Sequence, residues 1–299
     1  MRLSVLMITY NHEKFISQAV ESVLMQETEF EYELVIAEDC STDRTKDILL
    51  EYKNRFPEKI KLIANKKNVG LIKNFINGYK ACQGKYIALI EGDDYWTDKN
   101  KLQMQIDFIE RNPALSMCFT DCSVMDENEI VLRDRVPLDK RKNLTQKEIL
   151  SGYCPPFLTS LIKKDLIDEF PHGIYKIINL DFFLFNLITD FGDAGYIDKN
   201  TGNYRIHEGG IWSRKSESYY LMNNLKVRLA LLDYFPKHKQ VLLPVVNSYY
   251  SQLLMHYAKN RSIRILPLYF RLVLTDLKFL DFNFINILAH LLRNILFLK

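Results

Sequence analysis

The segment Glu91-Gly92-Asp93-Asp94 puts three carboxylates within four residues. Like charges at that spacing repel unless a cation or a basic group neutralises them. Such oxygen ligands suit Mg²⁺ or Mn²⁺, which also take phosphate oxygens from a substrate. Acidic residues that merely cap the next helix are the bland alternative, and the better one for an isolated Asp-Asp pair. Here the cluster directly follows the apolar run Tyr86–Ile90 and precedes Tyr95-Trp96, which favours a cation site.

Three further segments carry candidate chemistry. In Glu38-Asp39-Cys40-Ser41-Thr42-Asp43, Ser41 with Asp43 and Arg44 is expected to cap a helix. Asp39 is not needed for that cap, so its carboxylate is available to a base or ribose. Asp181 opens the apolar segment Leu180–Leu184, where an isolated Asp most often serves the helix N-terminus. In Tyr204-Arg205-Ile206-His207-Glu208-Gly209-Gly210-Ile211-Trp212-Ser213, two glycines beside a Trp indicate a turn able to close over a ligand. Arg205 and His207 offer charge for a diphosphate, and a ring nitrogen of His207 suits a cation. A lone His is as readily a packing residue.

The elements that must position these groups alternate through the first hundred residues. Leu3–Thr9, Glu33–Glu38, Ile60–Ala64 and Tyr86–Ile90 read as strands. Between them, Asn11 is expected to cap a helix with apolar residues at Phe15, Ile16, Ala19, Val20, Val23 and Leu24. Ser41 caps a second helix through Tyr52, and a third runs from about Gly70 to Cys82. Repeated βα units give a mostly parallel, doubly wound α/β sheet with helices on both faces. Ligands of such sheets bind outside the carboxyl ends of the strands. Those ends are Thr9-Tyr10-Asn11, Glu38–Ser41 and Glu91–Asp94. Beyond residue 100 the alternation loosens. A helix is expected over Lys101–Glu110, an extended run over Leu115–Val124, a charged loop over Met125–Asn143 and a Thr145-capped helix through Leu150.

Composition excludes several classes. The 299 residues are 47% hydrophobic and 26% charged with 11 Gly and 9 Pro, so long disordered stretches are not expected. A net charge of +3 gives no argument for a nucleic-acid partner. Residues 215–299 hold 12 Lys and Arg against 4 Asp and Glu, a balance of +8, leaving 28 against 33, or −5, for residues 1–214. Cys118 and Cys122 lack a second pair to complete a zinc pattern, so the five cysteines read as reduced thiols of a cytoplasmic protein. Met1 leads straight into an apolar run without a basic n-region, and no uncharged stretch reaches the ~18–20 residues that span a bilayer. Thr9-Tyr10-Asn11-His12 replaces the Gly-x-Gly-x-x-Gly of a dinucleotide fold, which excludes an ordinary Rossmann oxidoreductase. A nucleotidyltransferase would carry a Gly-rich basic loop near the first strand, and none is present.

Taken in order, Ser4–Asn11, Glu38–Asp43, Asn68-Val69-Gly70 and Glu91–Trp96 resemble the family 2 glycosyltransferases over roughly residues 1–214. The resemblance implies a GT-A fold, with residues 1–100 as the nucleotide-binding half and 101–214 as the acceptor-binding half of one catalytic domain. It assigns Thr9, Tyr10, Asn11, Asp39, Asn68, Gly70, Asp93 and Arg205 to the nucleotide, with Thr9 and Asp39 on uracil or a similar pyrimidine. Mn²⁺ or Mg²⁺ is expected on Asp93, with Asp94 and His207 as further ligands and Glu91, an Asp in the family pattern, outside the coordination sphere. Asp181 matches the family's catalytic base, although Leu180 stands where a Glu usually precedes it. The implied reaction is inverting transfer from a nucleotide-sugar, most simply a UDP-sugar, to a glycan or lipid-linked acceptor in cell-surface polysaccharide synthesis. A non-catalytic nucleotide-binding or membrane-recruiting protein on the same fold is the rival reading. Residues 215–299 are expected to form a helical extension. Its two apolar segments, from Pro267 and from Phe284, would pack on the catalytic domain or on a second subunit of a homodimer, or lie on the inner leaflet as a peripheral anchor.

Overall fold

The apolar runs of the first hundred residues fold as βα units in the computed structural model, which describes residues 1–213, 215–260 and 267. In chain order these are β1 (Leu3–Thr9), α1 (Ile16–Leu24), β2 (Tyr32–Glu38), α2 (Thr45–Arg55), β3 (Ile60–Ala64), α3 (Leu71–Ala81) and β4 (Tyr86–Glu91). The four strands are parallel in the order β3-β2-β1-β4. Every residue of β1 and β2 is buried, as strands covered on both faces require. Leu3, Val5 and Met7 share a core with Ile16, Ala19, Val20 and Val23 of α1. On the opposite face Leu6 meets α3 at Gly78, where a Cβ would stand 2.5 Å from Leu6 Cδ1. Only a glycine lets that helix approach the sheet so closely.

The sheet continues into the second half through β5 (Tyr95–Trp96), β6 (Met117–Asp126), β7 (Val131–Asp134), β8 (Leu161–Lys163) and β9 (Ala194–Ile206), interleaved with α4 (Lys101–Arg111), α5 (Gln146–Leu150) and α6 (Leu180–Ile188). Strand β8 lies antiparallel between β4 and β6, β9 runs parallel to β6, and β5 pairs antiparallel with β9. One nine-stranded sheet therefore spans both halves, parallel first and mixed later. The expected loop 125–143 contains β7, an exposed strand paired to β6. Its four residues, Val131-Leu132-Arg133-Asp134, are all exposed, so no alternation of apolar and polar residues marks it. Thr145 caps α5 as expected, and Glu148 completes a capping box with it.

Two expected caps are not made. Asn11 does not cap α1, which begins at Ile16 after a turn that opens on the His12 carbonyl. Ser41 does not cap α2; Asp43 Oδ1 accepts the Thr45 N–H instead, and the helix starts at Thr45. The freed side chains bond across the two loops. Asn11 N–H donates to Ser41 Oγ at 3.0 Å, Thr42 N–H to Asn11 Oδ1 at 2.8 Å, and Glu13 N–H to Asp43 Oδ2 at 3.0 Å. Parallel pairing of β1 with β2 sets these loops side by side, so each finds its partners in the other.

Residues Met1–Ser213 form one compact unit and Arg214–Lys299 a second. Within the second unit, α7 (Glu217–Tyr234) and α8 (Lys239–Lys259) are helical as expected, and Arg228 lies over the Tyr249 ring at 4.6 Å. The two apolar tail segments fall, but for Pro267, outside the described residues. Among the described residues no helix is long and apolar enough to cross a membrane.

Candidate functional site

The carboxyl end of β1 is pinned before any ligand arrives. Asn11 adopts φ +57°, a left-handed turn that sends the chain back over the sheet edge. His12 N–H then donates to Thr45 Oγ1 at 2.8 Å, and its ring Nδ1 lies 3.1 Å from Thr9 Oγ1. Tyr10 remains exposed. At the end of β2, Asp39 is buried and organises the next loop. Its Oδ1 accepts the Val69 N–H and the Asn65 side-chain amide, and its Oδ2 accepts the Gly70 N–H, all at 2.8–3.1 Å. Gly70 holds φ +85° immediately before α3, a conformation that favours glycine. Asn68 is exposed on the same loop.

The acidic cluster divides its labour at the end of β4. Asp93 Oδ2 stands 2.9 Å from His207 Nε2 and 3.6 Å from His12 Nε2. One ligand atom from each of His12, Asp93 and His207 fits within 4.8 Å of the others, the one such group of three among the described residues. Asp94, expected as a ligand, is not in this set: its Oδ1 accepts the Arg205 N–H at 2.9 Å. His207 lies 114 residues from Asp93 in sequence. Pairing of β5 with β9, Tyr95 opposite Asn203, brings it there.

Arg205, expected on the nucleotide, is buried. Rather than reaching out to a diphosphate, its 4%-exposed side chain is built into the wall. Its Nε donates to the Asp93 carbonyl, one Nη to Gln18 Oε1, and the guanidinium lies over the rings of Phe15 and Tyr95. The Glu129 carboxylate approaches from the β6–β7 turn at 3.5 Å. A guanidinium stacked and bonded on this many sides holds neighbours in place.

Charges within the site separate accordingly. Burial would raise the Asp93 carboxyl, but His12 and the His207 hydrogen bond outweigh it and hold it below the usual carboxylate range. Burial and the charges of Asp93 and Asp181 push Glu91 well up. Asp94 also rises, through burial and the charges of Asp93 and Glu91. Asp181, in the first turn of α6, thus lies within electrostatic reach of Glu91; its Oδ1 accepts the Phe182 N–H at 2.8 Å.

The donor set chemistry fits a divalent cation: one ionised carboxylate and two imidazoles, with coordination positions left for phosphate oxygens. His12 was legible only as the residue after Thr9-Tyr10-Asn11 on a ligand-bearing edge. No local signal marked Gln18, Phe15 or Glu129 as parts of the wall.

The model of glycosyl transferase family 2 matches residues 4–170. The chain belongs to this family. A Mycobacterium tuberculosis relative, named only as an uncharacterized protein, is 32% identical over 211 residues, 70% of this chain and 60% of that protein. This chain thus matches about three fifths of the mycobacterial protein's own length. The Escherichia coli protein WfgD, a UDP-Glc:alpha-D-GlcNAc-diphosphoundecaprenol beta-1,3-glucosyltransferase, is 27% identical over 215 residues, 71% of this chain and 80% of its own. Staphylococcus aureus TarS, solved in complex with UDP-GlcNAc, aligns with a TM-score of 0.66 at 20% identity, over 99% of this chain and 82% of its own. At that identity the likeness establishes the fold, which is the expected GT-A fold with a helical C-terminal region.

Proposed function

We propose that the chain is an inverting, cation-dependent glycosyltransferase. It would move a sugar from a UDP-sugar to a hydroxyl of a glycan or lipid-linked acceptor during cell-surface polysaccharide synthesis. The observation that carries this reading is the convergence of Asp93, His207 and His12 at the strand-end edge that also holds Asp39. The names of the relatives point the same way, since WfgD takes UDP-Glc and TarS was solved with UDP-GlcNAc.

In this reading residues 1–100 receive the nucleotide and 101–214 the acceptor. Thr9, Tyr10 and Asn11 border the base, and Asp39 shapes the Asn68–Gly70 loop into the wall beside it. Asp93 and His207 would hold the Mn²⁺ or Mg²⁺, which would supply positive charge to offset that of the leaving diphosphate. Asp181 takes the proton of the acceptor hydroxyl as that oxygen bonds the anomeric carbon. The bond from that carbon to the diphosphate oxygen breaks in the same displacement, which inverts the carbon. Glu91, whose carboxyl is pushed up by burial and by the charges of Asp93 and Asp181, is less readily ionised and adds less repulsion to the incoming phosphates. The basic balance of residues 215–299 suits the anionic inner leaflet, where lipid-linked acceptors lie.

The test pairs binding with turnover. UDP-, GDP- and dTDP-sugars are screened by thermal shift with Mn²⁺, and a UDP-sugar is expected to stabilise the protein most. Asp181→Asn should then keep that shift while transfer falls about 10²–10⁴-fold. Near-normal turnover in the variant would remove Asp181 as the base, and no shift with any nucleotide-sugar would remove the donor reading.

A further inference from the structure

We propose that His12 is a third protein ligand, and that His12, Asp93 and His207 capture a divalent transition cation before the nucleotide binds. This rests on the reading above only for the site's place in the reaction. Its structural basis is separate.

His12 is held as metal-ligating histidines are held. Such a histidine donates its second ring N–H to an acceptor, which fixes the tautomer and aims the other nitrogen. Thr9 Oγ1, 3.1 Å from His12 Nδ1, is positioned as that acceptor, leaving the lone pair on Nε2. The backbone is fixed independently by the left-handed turn at Asn11 and the bond from His12 N–H to Thr45. Gly92 closes the other side: a Cβ there would stand 2.5 Å from Thr9 Oγ1 and 2.9 Å from His12 Nδ1. The β4–β5 turn thus presses against the imidazole with no room for a side chain.

His12 Nε2 nonetheless makes no hydrogen bond to the carboxylate it faces. At 3.6 Å from Asp93 Oδ2 it is too far. Two ligands about 2.1 Å from one cation stand about 3.0–3.4 Å apart, for octahedral and tetrahedral angles respectively. The separations of Asp93 Oδ2 from the His207 and His12 nitrogens, 2.9 and 3.6 Å, bracket that span. The pocket is also sheltered, with the side chains of His12, Asp93 and His207 at 15%, 18% and 6% exposure. Phe15 packs edge-on against the His207 ring at 4.7 Å.

Two consequences follow from the donor set. Three preformed ligands bind a cation without the diphosphate. Two imidazoles also favour Mn²⁺, and later transition ions, over Mg²⁺, which prefers oxygen donors and retains its waters.

The test uses the full chain without nucleotide. Mn²⁺ is titrated while the electron paramagnetic resonance signal of free Mn²⁺ is followed, and one bound ion per chain is expected, displaced by Mg²⁺ only at 100-fold or greater excess. Electron spin-echo modulation of the bound ion should show two coupled imidazole nitrogens. His12→Gln should leave one and weaken uptake at least tenfold, with folding checked by circular dichroism. One coupled nitrogen in the wild-type protein, or uptake that requires UDP, would overturn the inference even if the variant failed to fold. A chain that binds Mn²⁺ through two imidazoles but transfers no sugar would fault the proposed reaction alone. One that transfers sugar while failing the nitrogen count would fault this inference alone.

Discussion

Gly92 sits against the side chains of Thr9 and His12 at the strand-end edge. Replacing it with Ala puts a methyl group 2.8 Å from Thr9 Cβ and 2.9 Å from His12 Nδ1, and neither neighbour is the free end of a flexible chain. Gly92→Ala is therefore expected to lower folding stability by about 1–3 kcal/mol, as overpacking does, read from chemical denaturation. Mn²⁺ uptake should weaken with it. At this scale the sequence marked Asp93 and His207 as candidates on a ligand-bearing edge, and the structure brings them within 2.9 Å of each other. Arg205, expected on the diphosphate, is bonded within the wall, and a guanidinium serves equally well as a phosphate contact and as a stacked clamp. Only the positions of Phe15, Tyr95 and Gln18 choose between them. His12 went unread because its partners, Thr9, Thr45 and Asp93, come from three different segments.

Strands and helices were the most legible elements, and the turns between them the least. The period of apolar residues marks β1 and α3 within a residue or two, since burial acts along a whole element. Polar loop residues carry no period, and each bonds whichever partner the fold brings near. The β2–α2 turn illustrates this: Ser41 serves Asn11, and Cys40 is left at φ +57°. Left-handed backbone costs a residue bearing a Cβ about 1–2 kcal/mol, partly offset by the greater chain entropy that glycine loses. Cys40→Gly is thus expected to raise stability by about 0.5–1 kcal/mol, seen as a higher denaturation midpoint with the slope unchanged. A lower midpoint would mean that the Cys40 side chain contributes packing that outweighs the strain.

The unit Met1–Ser213 buries a charge-bearing side chain that couples its folding to pH. Lys101, fully buried beneath the Trp96 ring and bonded to Gln105, has its ammonium pushed down to about 7 by burial. Its ordinary value is 10.5, so above pH 7 the unfolded chain holds a proton that the folded one has released. Lys101 by itself contributes a rise in stability from pH 7 to 8.5, of at most about 1.4 kcal/mol per pH unit, which the raised carboxyls of Glu91 and Asp94 oppose. Above that range the buried thiols Cys82 and Cys118, both pushed up to about 12, oppose it, because the unfolded chain then loses protons first. Lys101→Met should flatten the rise in urea titrations across that window, and an unchanged slope would assign it to another group. The sequence by itself determined the alternation of strands and helices, the family and the edge on which the acidic residues emerge. All of these are set by local apolar spacing and short ordered motifs. The tertiary structure alone decided which polar groups meet: β9 carried His207 to Asp93, the Asn11 turn brought His12 beside them, and Asp94 Oδ1 accepts the Arg205 N–H. Hydrogen bonds and ligand sets act over about 3 Å, and positions that far apart in the chain come within that range only once the sheet has closed.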